Sequence, residues 1–141
     1  MSKGNTQFRL NRVSLVKSIF ELKTIGLQPS DKLSVDINTS FNASDESVLV
    51  FVEVNVSDRI QPKELTLTVR MAGEFSVNRV SEELEEMSIE QFAKINGPAI
   101  IYPYVRQVVR HLTLESSMPS PVILPIVNFQ AFQQKKKTKK V

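Results

Sequence analysis

From Leu33 to Val77 apolar side chains recur at every second position, the pattern of strands that hide one face and wet the other. Leu33, Val35 and Ile37 alternate with Ser34, Asp36 and Asn38, the cleanest such run. Asn42 to Ser47 is a polar turn region. Val48, Val50, Val52, Val54 and Val56 then share one face, with Leu49, Phe51, Glu53 and Asn55 on the other. That run is apolar on both faces where it begins and polar on one where it ends, which predicts a central strand covered at one end. Leu65, Leu67, Val69 and Met71 alternate with Thr66, Thr68 and Arg70, and Phe75 and Val77 continue the pattern after an interruption at Ala72-Gly73, read here as a bulge in one long strand. Ahead of all these, Phe8 to Leu22 starts in alternation, shifts phase at Arg12-Val13 and resumes. A bulged or bent strand fits it best, although Val16 to Leu22 taken alone also has helical periodicity. The four strands are joined by connections too short for parallel crossovers, so the sheet is expected to be antiparallel.

The second half changes period. An acidic run at Glu82, Glu83, Glu85 and Glu86 reads as a solvated link. Ser88 followed by Gln91 is a capping-box pattern opening a short helix with Ile89, Phe92, Ala93 and Ile95, which Asn96-Gly97 would close. Pro98 suits a first helical turn, and Pro103 removes the donor that would meet carbonyl 99, so the next helix is expected to be kinked, or regular only from about Pro103. Ile101, Val105, Val108, Val109 and Leu112 form its apolar stripe, with Arg106, Gln107 and Arg110 on the other side. Met118 to Phe129 is strongly apolar yet holds Pro119, Pro121 and Pro125, so it must be extended and must lie on something. Strands followed by helices give an α+β class: a four-stranded antiparallel sheet packed with a long C-terminal helix, one domain over residues 1–134.

Composition narrows the chemistry. A length of 141 residues suits a single domain with its own core. There is no cysteine, so disulfides, thiolate metal sites and cysteine nucleophiles are excluded. His111 is the only histidine; a zinc site would have to rely on carboxylates, and a structural or surface role is the expectation. No Gly-x-Ser-x-Gly turn and no glycine-rich phosphate loop occurs among four scattered glycines, and the Glu82–Glu86 run is too local to be a tuned acid-base pair. An enzyme is therefore not expected, and neither is a cofactor or a metal. No apolar run approaches the roughly 18 residues that span a bilayer, and MSKGNTQ lacks a signal-peptide core, so the expectation is a cytoplasmic protein without membrane insertion. Net charge is +3, but five lysines between Lys135 and Lys140 carry it; the first 134 residues hold 13 basic and 15 acidic side chains. Residues 135–141 are read as a disordered basic tail, a solvated end or a contact for acidic partners such as nucleic acid or anionic lipid.

Three stretches together carry a resemblance. They are the Asn-Gly-Pro of Asn96 to Pro98, Tyr102-Pro103-Tyr104-Val105-Arg106, and Leu124-Pro125-Ile126-Val127-Asn128-Phe129. At this spacing the chain resembles the SecB family of protein-export chaperones over about residues 8 to 132, diffusely in the strands and sharply in the helix and the Pro-rich crossover. The resemblance implies a homotetramer, a dimer of dimers built from the long helix and sheet edges. It also implies ATP-independent binding of unfolded preproteins in apolar grooves between sheet and crossover, and hand-over to the SecA motor. Carried over by position, the client groove would involve Leu27, Phe75, Tyr104, Met118, Val122, Leu124 and Phe129, and Glu21 would match one acidic contact for the motor. Lys17 and Thr68 stand where the family usually has further acids, and the second helix after Val-Asn-Phe gives way to lysines within a few residues, so it is expected to be short.

The residues alone point the same way. A single sheet and helix cannot easily bury Tyr102, Tyr104, Met118, Val122, Leu124, Phe129 and Phe132 besides the sheet's own apolar face. Self-association, or a groove for other apolar chains, would accommodate the excess. The expected function is a holdase that keeps preproteins translocation-competent. The alternatives are a SecB-like interaction module in another pathway, such as one tied to a toxin-antitoxin system without the motor, and a nucleic-acid binder resting on the lysine tail. The last is disfavoured because the aromatics are not interleaved with basic residues.

Overall fold

The computed structural model describes residues 7–78 and 89–139. Four strands, β1 (Gln7–Leu22), β2 (Leu33–Ala43), β3 (Ser47–Asp58) and β4 (Leu65–Asn78), form one antiparallel sheet. Two helices follow, α1 (Gly97–Glu115) and α2 (Phe129–Lys139). The architecture is the expected α+β one. Every second side chain of β3 from Val48 to Asp58 is buried, as its valine ladder demands, and the strand is central, paired with β2 on one side and β4 on the other.

Lateral order does not follow chain order. The sheet runs β1-β4-β3-β2, a Greek-key arrangement in which β1 returns beside β4, the partner long enough to match it from Gln7↔Asn78 to Leu22↔Leu65. The β1–β2 link therefore passes from one edge of the sheet to the other at the end that also carries the β3–β4 turn. Its backbone is tied to that turn by Lys23 N-H to the Glu64 carbonyl (3.0 Å) and by Arg59 N-H to the Lys32 carbonyl (2.9 Å). Leu27, midway along the link, drops into the core.

Two readings of the strands are corrected. β1 carries two bulges, not one: Asn11 and Val16 are each extra against β4. The inward set is Phe8, Leu10, Val13, Leu15, Ser18, Phe20 and Leu22, and each inserted residue stretches a spacing of two to three. That is why Val16 to Leu22 imitates a helix. In β4, by contrast, pairing runs without a shift through Ala72 and Gly73 on the β3 side. Gly73 is there for close packing, since a Cβ at this position would lie 2.9 Å from Cγ1 of Ile101 on α1.

Asn96-Gly97 does not close a helix either. Residues 89–91 are helical, Phe92–Asn96 form a π-helical turn, and Gly97 is itself right-handed helical (φ −59°, ψ −54°), so the backbone runs on into α1. The cause is Pro98. It has no N-H for the Lys94 carbonyl and its ring crowds that carbonyl, so the preceding turn widens and Gly97 N-H reaches back five residues to Phe92 O. The freed Lys94 carbonyl accepts instead from Gln133 Nε2 of α2 at 3.0 Å. Pro103 lies inside α1, which continues past it; both it and Ala99 face outward, where water can serve the carbonyl left over. The capping-box Ser88 and the acidic run lie outside the described residues. Helix α2 corrects the tail, because it continues through Lys139 where a disordered segment was expected from Lys135. Lysine is a good helix former, and positive charge favours a helix C-terminus.

Asp58, last in β3, is fully buried and locks the two links at the Greek-key end. Its carboxylate accepts from Ser30 N-H (2.7 Å), Ser30 Oγ (2.6 Å), Ile60 N-H (2.9 Å) and Gln61 N-H (3.2 Å). Burial alone would raise its pKa, but these four donors outweigh that and hold it down at about 2, against 3.8 for an ordinary aspartate. A depressed folded-state pKa means the stabilisation is complete above pH 4 and is lost as pH falls toward 2. Asp58→Asn should therefore lose about 2 kcal/mol at pH 7, and urea unfolding of both proteins should show the gap closing between pH 4 and pH 2. Gly73→Ala should cost a similar amount through overpacking, and Ile101→Val, which removes the nearest methyl, should recover part of the loss in a double-mutant cycle.

Candidate functional site: the crossover and its helix

The inner face of β3 and β4 is apolar along its length, and α1 lies across it with Ile101, Val105 and Val109 fully buried. After α1 the chain reverses at Ser117, a left-handed residue (φ 60°), and residues 118–128 return beside the helix without regular structure. Prolines at 119, 121 and 125 deny this segment any helix, so its polar backbone needs partners elsewhere. Thr113, one turn past Val109 on the buried stripe, supplies one. Its Oγ1 donates to the Val109 and Arg110 carbonyls (both 3.1 Å) within α1 and accepts from Val122 N-H at 2.9 Å. Tyr102 supplies another by donating to the Pro125 carbonyl at 2.6 Å. Burial pushes the pKa of the Tyr102 hydroxyl up, with the Arg106 charge opposing, so it stays a donor.

Around these two anchors inward and outward side chains are interleaved. Met118, Val122 and Leu124 point inward and are buried, whereas Ile123 and Ile126 point outward with 70% and 87% of their surface exposed. Phe129 then turns back into the core, edge-on to Tyr102 (5.6 Å between centroids) and to Phe132 (5.7 Å). A second aromatic group lies beneath the start of the helical region, where Phe92 stacks on Phe8 at 3.8 Å and meets Phe75 edge-on at 4.9 Å.

Of the seven residues taken for a client groove, six share one core: Leu27, Phe75, Met118, Val122, Leu124 and Phe129 are all at most 8% exposed. Only Tyr104, at 41%, is reachable from solvent, and it lies on the outward side of α1. Two open grooves flank the helix. One, of about 460 Å³, lies between edge strand β1 and the second half of α1, with Leu15, Val108, Leu112, Leu114 and His111 on its walls. The other, about 270 Å³, lies between α1 and the crossover. Glu21 is exposed on the outer sheet face, 3.2 Å from Lys23. Lys17 stands directly across from Arg70, whose guanidinium sits over the Phe51 ring at 4.5 Å and near Glu53 at 3.9 Å. Among the described residues no group of three or more His, Asp or Glu side chains could hold a metal, and no helix is long and apolar enough to cross a membrane.

Residues 14–140 match the family model described as preprotein translocase subunit SecB. The chain belongs to the SecB family. It is 30% identical over 139 residues to the protein-export protein SecB of Alcanivorax borkumensis, covering 92% of this chain and 85% of that one. With the SecB of Anaplasma phagocytophilum it shares 33% identity over 67 residues, 48% of this chain and 41% of that protein. The fold also matches the SecB-like chaperone of Mycobacterium tuberculosis, solved in complex with an antitoxin peptide, at a TM-score of 0.66 and 18% identity over 85% of this chain and 87% of that one. The long helix and Pro-rich crossover that carried the resemblance are thus those of a protein-export chaperone family.

Thr113 and Gln133 escaped the sequence reading as structural determinants. A signal existed for Thr113, since Val105, Val109 and Thr113 fall at spacings of four, and a hydroxyl on a buried stripe implies a buried acceptor or donor to serve. Thr113→Val keeps the shape but orphans the Val122 amide. It should cost about 1–3 kcal/mol, and hydrogen exchange at Val122 should accelerate by a factor of about ten or more while amides at the centre of β3 are changed only by the global loss.

Proposed function

We propose that this chain is an ATP-independent holdase of the cytoplasm that binds unfolded preproteins and keeps them translocation-competent. The observation that supports it best is the outward face of the crossover. Ile123 and Ile126 are held in water on a segment that is pinned to α1 from behind, with Tyr104 and Ile100 exposed on the neighbouring helix. Large apolar side chains held outward on an extended backbone gain from any partner that covers them, at about 25 cal/mol per Å² of apolar surface, without asking for a particular sequence. The buried members of the proposed groove, Leu124 and Val122 foremost, would then form its floor and set its position, and client chains would touch mainly Tyr104, Ile123 and Ile126.

The β1 edge suits self-association. Leu15 is half exposed on the wall of the 460 Å³ groove, and Val16 and Ile19 on the same strand are also about half exposed, so a homo-oligomer built through β1 and α1 is part of this reading. On the outer face, where a SecA-type motor would dock in this reading, Glu21 is beside Lys23, and Lys17 stands across from Arg70, which is near Glu53.

The test is suppression of aggregation of a chemically denatured, unrelated protein without nucleotide. The native chain should suppress it at near-stoichiometric ratio, and Tyr104→Asp combined with Ile126→Asp should reduce the effect several-fold without changing the far-UV spectrum, since both residues are exposed. Equal suppression by the variant would move the client surface elsewhere, and no suppression by the native chain would sink the holdase reading.

A further inference from the structure

Helix α2 changes character along its length. Phe129 is buried, Phe132 packs against the core beside it, and Gln133 Nε2 donates to the Lys94 carbonyl at 3.0 Å, so the first half is fastened to the body. After Phe132 no apolar residue occurs until Val141; Lys135, Lys136, Lys137, Lys139 and Lys140 come instead. The helix runs on through four of these lysines to Lys139. Nothing in the adjoining sequence opposes them, since from Ser116 to Val141 there is no aspartate or glutamate. Glu90, which lines the cleft beside Gln134, is 2.6 Å from Lys94. Like charges three and four apart on a helix repel, as positions 136 and 139 or 135 and 139 do, so the run costs helix stability in water and regains it against a negative surface. Charge is also unevenly divided: the first 134 residues hold 13 basic and 15 acidic side chains, so only the lysine run makes the chain cationic.

From this arrangement we propose that the lysine end of α2 is a docking site for an anionic bilayer surface, which it meets by charge alone. Three features select a bilayer over a nucleic acid. The run has lysine without arginine, and a hydrated ammonium suits a diffuse layer of headgroup charge, whereas the planar fork of arginine suits the fixed phosphates of a folded RNA. It holds no aromatic on which a base could stack. Finally, a plane can be touched by one helix end, whereas a nucleic acid of any length must run on past a body in which acids outnumber bases. Having no apolar residue between Phe132 and Val141, the segment has nothing to insert, so the contact stays at the surface and is reversible. Each lysine near such a surface raises partitioning about fivefold, and in a homo-oligomer the copies act together. The site uses none of the residues proposed to meet clients. It goes beyond the holdase reading and does not rest on it.

The experiment is co-sedimentation of the full chain with sucrose-loaded vesicles at low ionic strength, made of phosphatidylcholine alone or of phosphatidylcholine mixed with phosphatidylglycerol. Most of the chain should pellet with the mixed vesicles and almost none with phosphatidylcholine, and salt raised to about 0.5 M should release it. Replacing Lys135, Lys136, Lys137, Lys139 and Lys140 together by glutamine, which keeps helix propensity, should weaken binding by about a hundredfold or more. Lys136→Gln alone should weaken it about fivefold, which keeps the test open if the fivefold replacement disturbs the helix. Equal pelleting with both vesicle types, pelleting with neither, or binding that survives the glutamine replacements overturns the inference and leaves the holdase reading standing. So does displacement of the native chain by a duplex RNA at a phosphate concentration well below that of the lipid, which would assign the lysines to nucleic acid. Failure of the native chain to suppress aggregation, with vesicle binding as expected, removes the holdase reading and leaves this inference in place.

Discussion

The structure depends on how a segment with three prolines is held against a helix. Residues 118–128 can make neither helix nor sheet, yet Met118, Val122 and Leu124 are needed to finish the cover over the apolar face of β3 and β4. Burying three such side chains contributes about 1.5–3 kcal/mol each, but a single orphaned backbone amide costs about 1–3 kcal/mol. Apolar contact alone could therefore be cancelled by a few unmet polar groups. Thr113 and Tyr102 remove that conflict at two points, and because both project from α1, the crossover is registered to the helix rather than to the sheet. The outward pointing of Ile123 and Ile126 follows directly. Once alternate residues are fixed inward, the remaining ones have nowhere to go but water.

The same dependence on proline shapes the start of the helical region. Pro98 leaves the Lys94 carbonyl without its helical donor, and Gln133 of α2 fills the vacancy. A second bond from Gln133 Nε2 to Thr39 Oγ1 at 3.3 Å extends the link to β2. Helix α2, although only 11 residues long, thus closes the end of the sheet opposite the Asp58 lock. A shorter second helix does not mean a missing contact, because the residue that matters lies in its second turn.

Much of the fold was legible. Strict alternation fixes which face of β2, β3 and β4 is buried, since the period of a strand leaves no other choice, and the stripe from Ile101 to Leu112 fixes how α1 lies. Other features turn on interactions between distant residues that no local pattern contains. The pairing of β1 with β4, the close packing at Gly73 and the extra residue at Val16 each depend on a partner about 28 to 71 positions away. Asn96-Gly97 misled because a local stop signal was overridden by tertiary contact: a Cβ at Gly97 would lie 2.9 Å from Val50 Cγ2, so the glycine serves the seating of the helix on β3. For the site, six of the seven residues carried over from the resemblance lie in the core and only Tyr104 is exposed. Resemblance located Met118, Val122, Leu124 and Phe129, but the same apolar character that makes a residue suitable for a groove also draws it into the core, and only the anchors at Thr113 and Tyr102 decide which half of the crossover is turned outward.

A geometric shortage then explains why this fold should present apolar surface at all. One helix covers the two central strands and no more. Phe8, Leu10, Val13, Phe20 and Leu22 on β1, and Leu33, Val35 and Ile37 on β2, are inward-facing yet only partly buried, because they flank the helix rather than lie under it. At the β2 edge, α2 and the π-helical turn shelter part of this margin. At the β1 edge Phe92 stacks on Phe8, but farther along the strand Leu15 remains half in water on the wall of the groove along α1. Lengthening the crossover would not help, since Thr113 and Tyr102 tie it to the opposite side of the helix. A second copy of the chain can cover β1 without hiding Ile123 and Ile126, because the two surfaces lie on opposite flanks of α1. Self-association and client binding are in this way separate answers to one shortage of cover, and that separation lets an oligomer form while the crossover stays open.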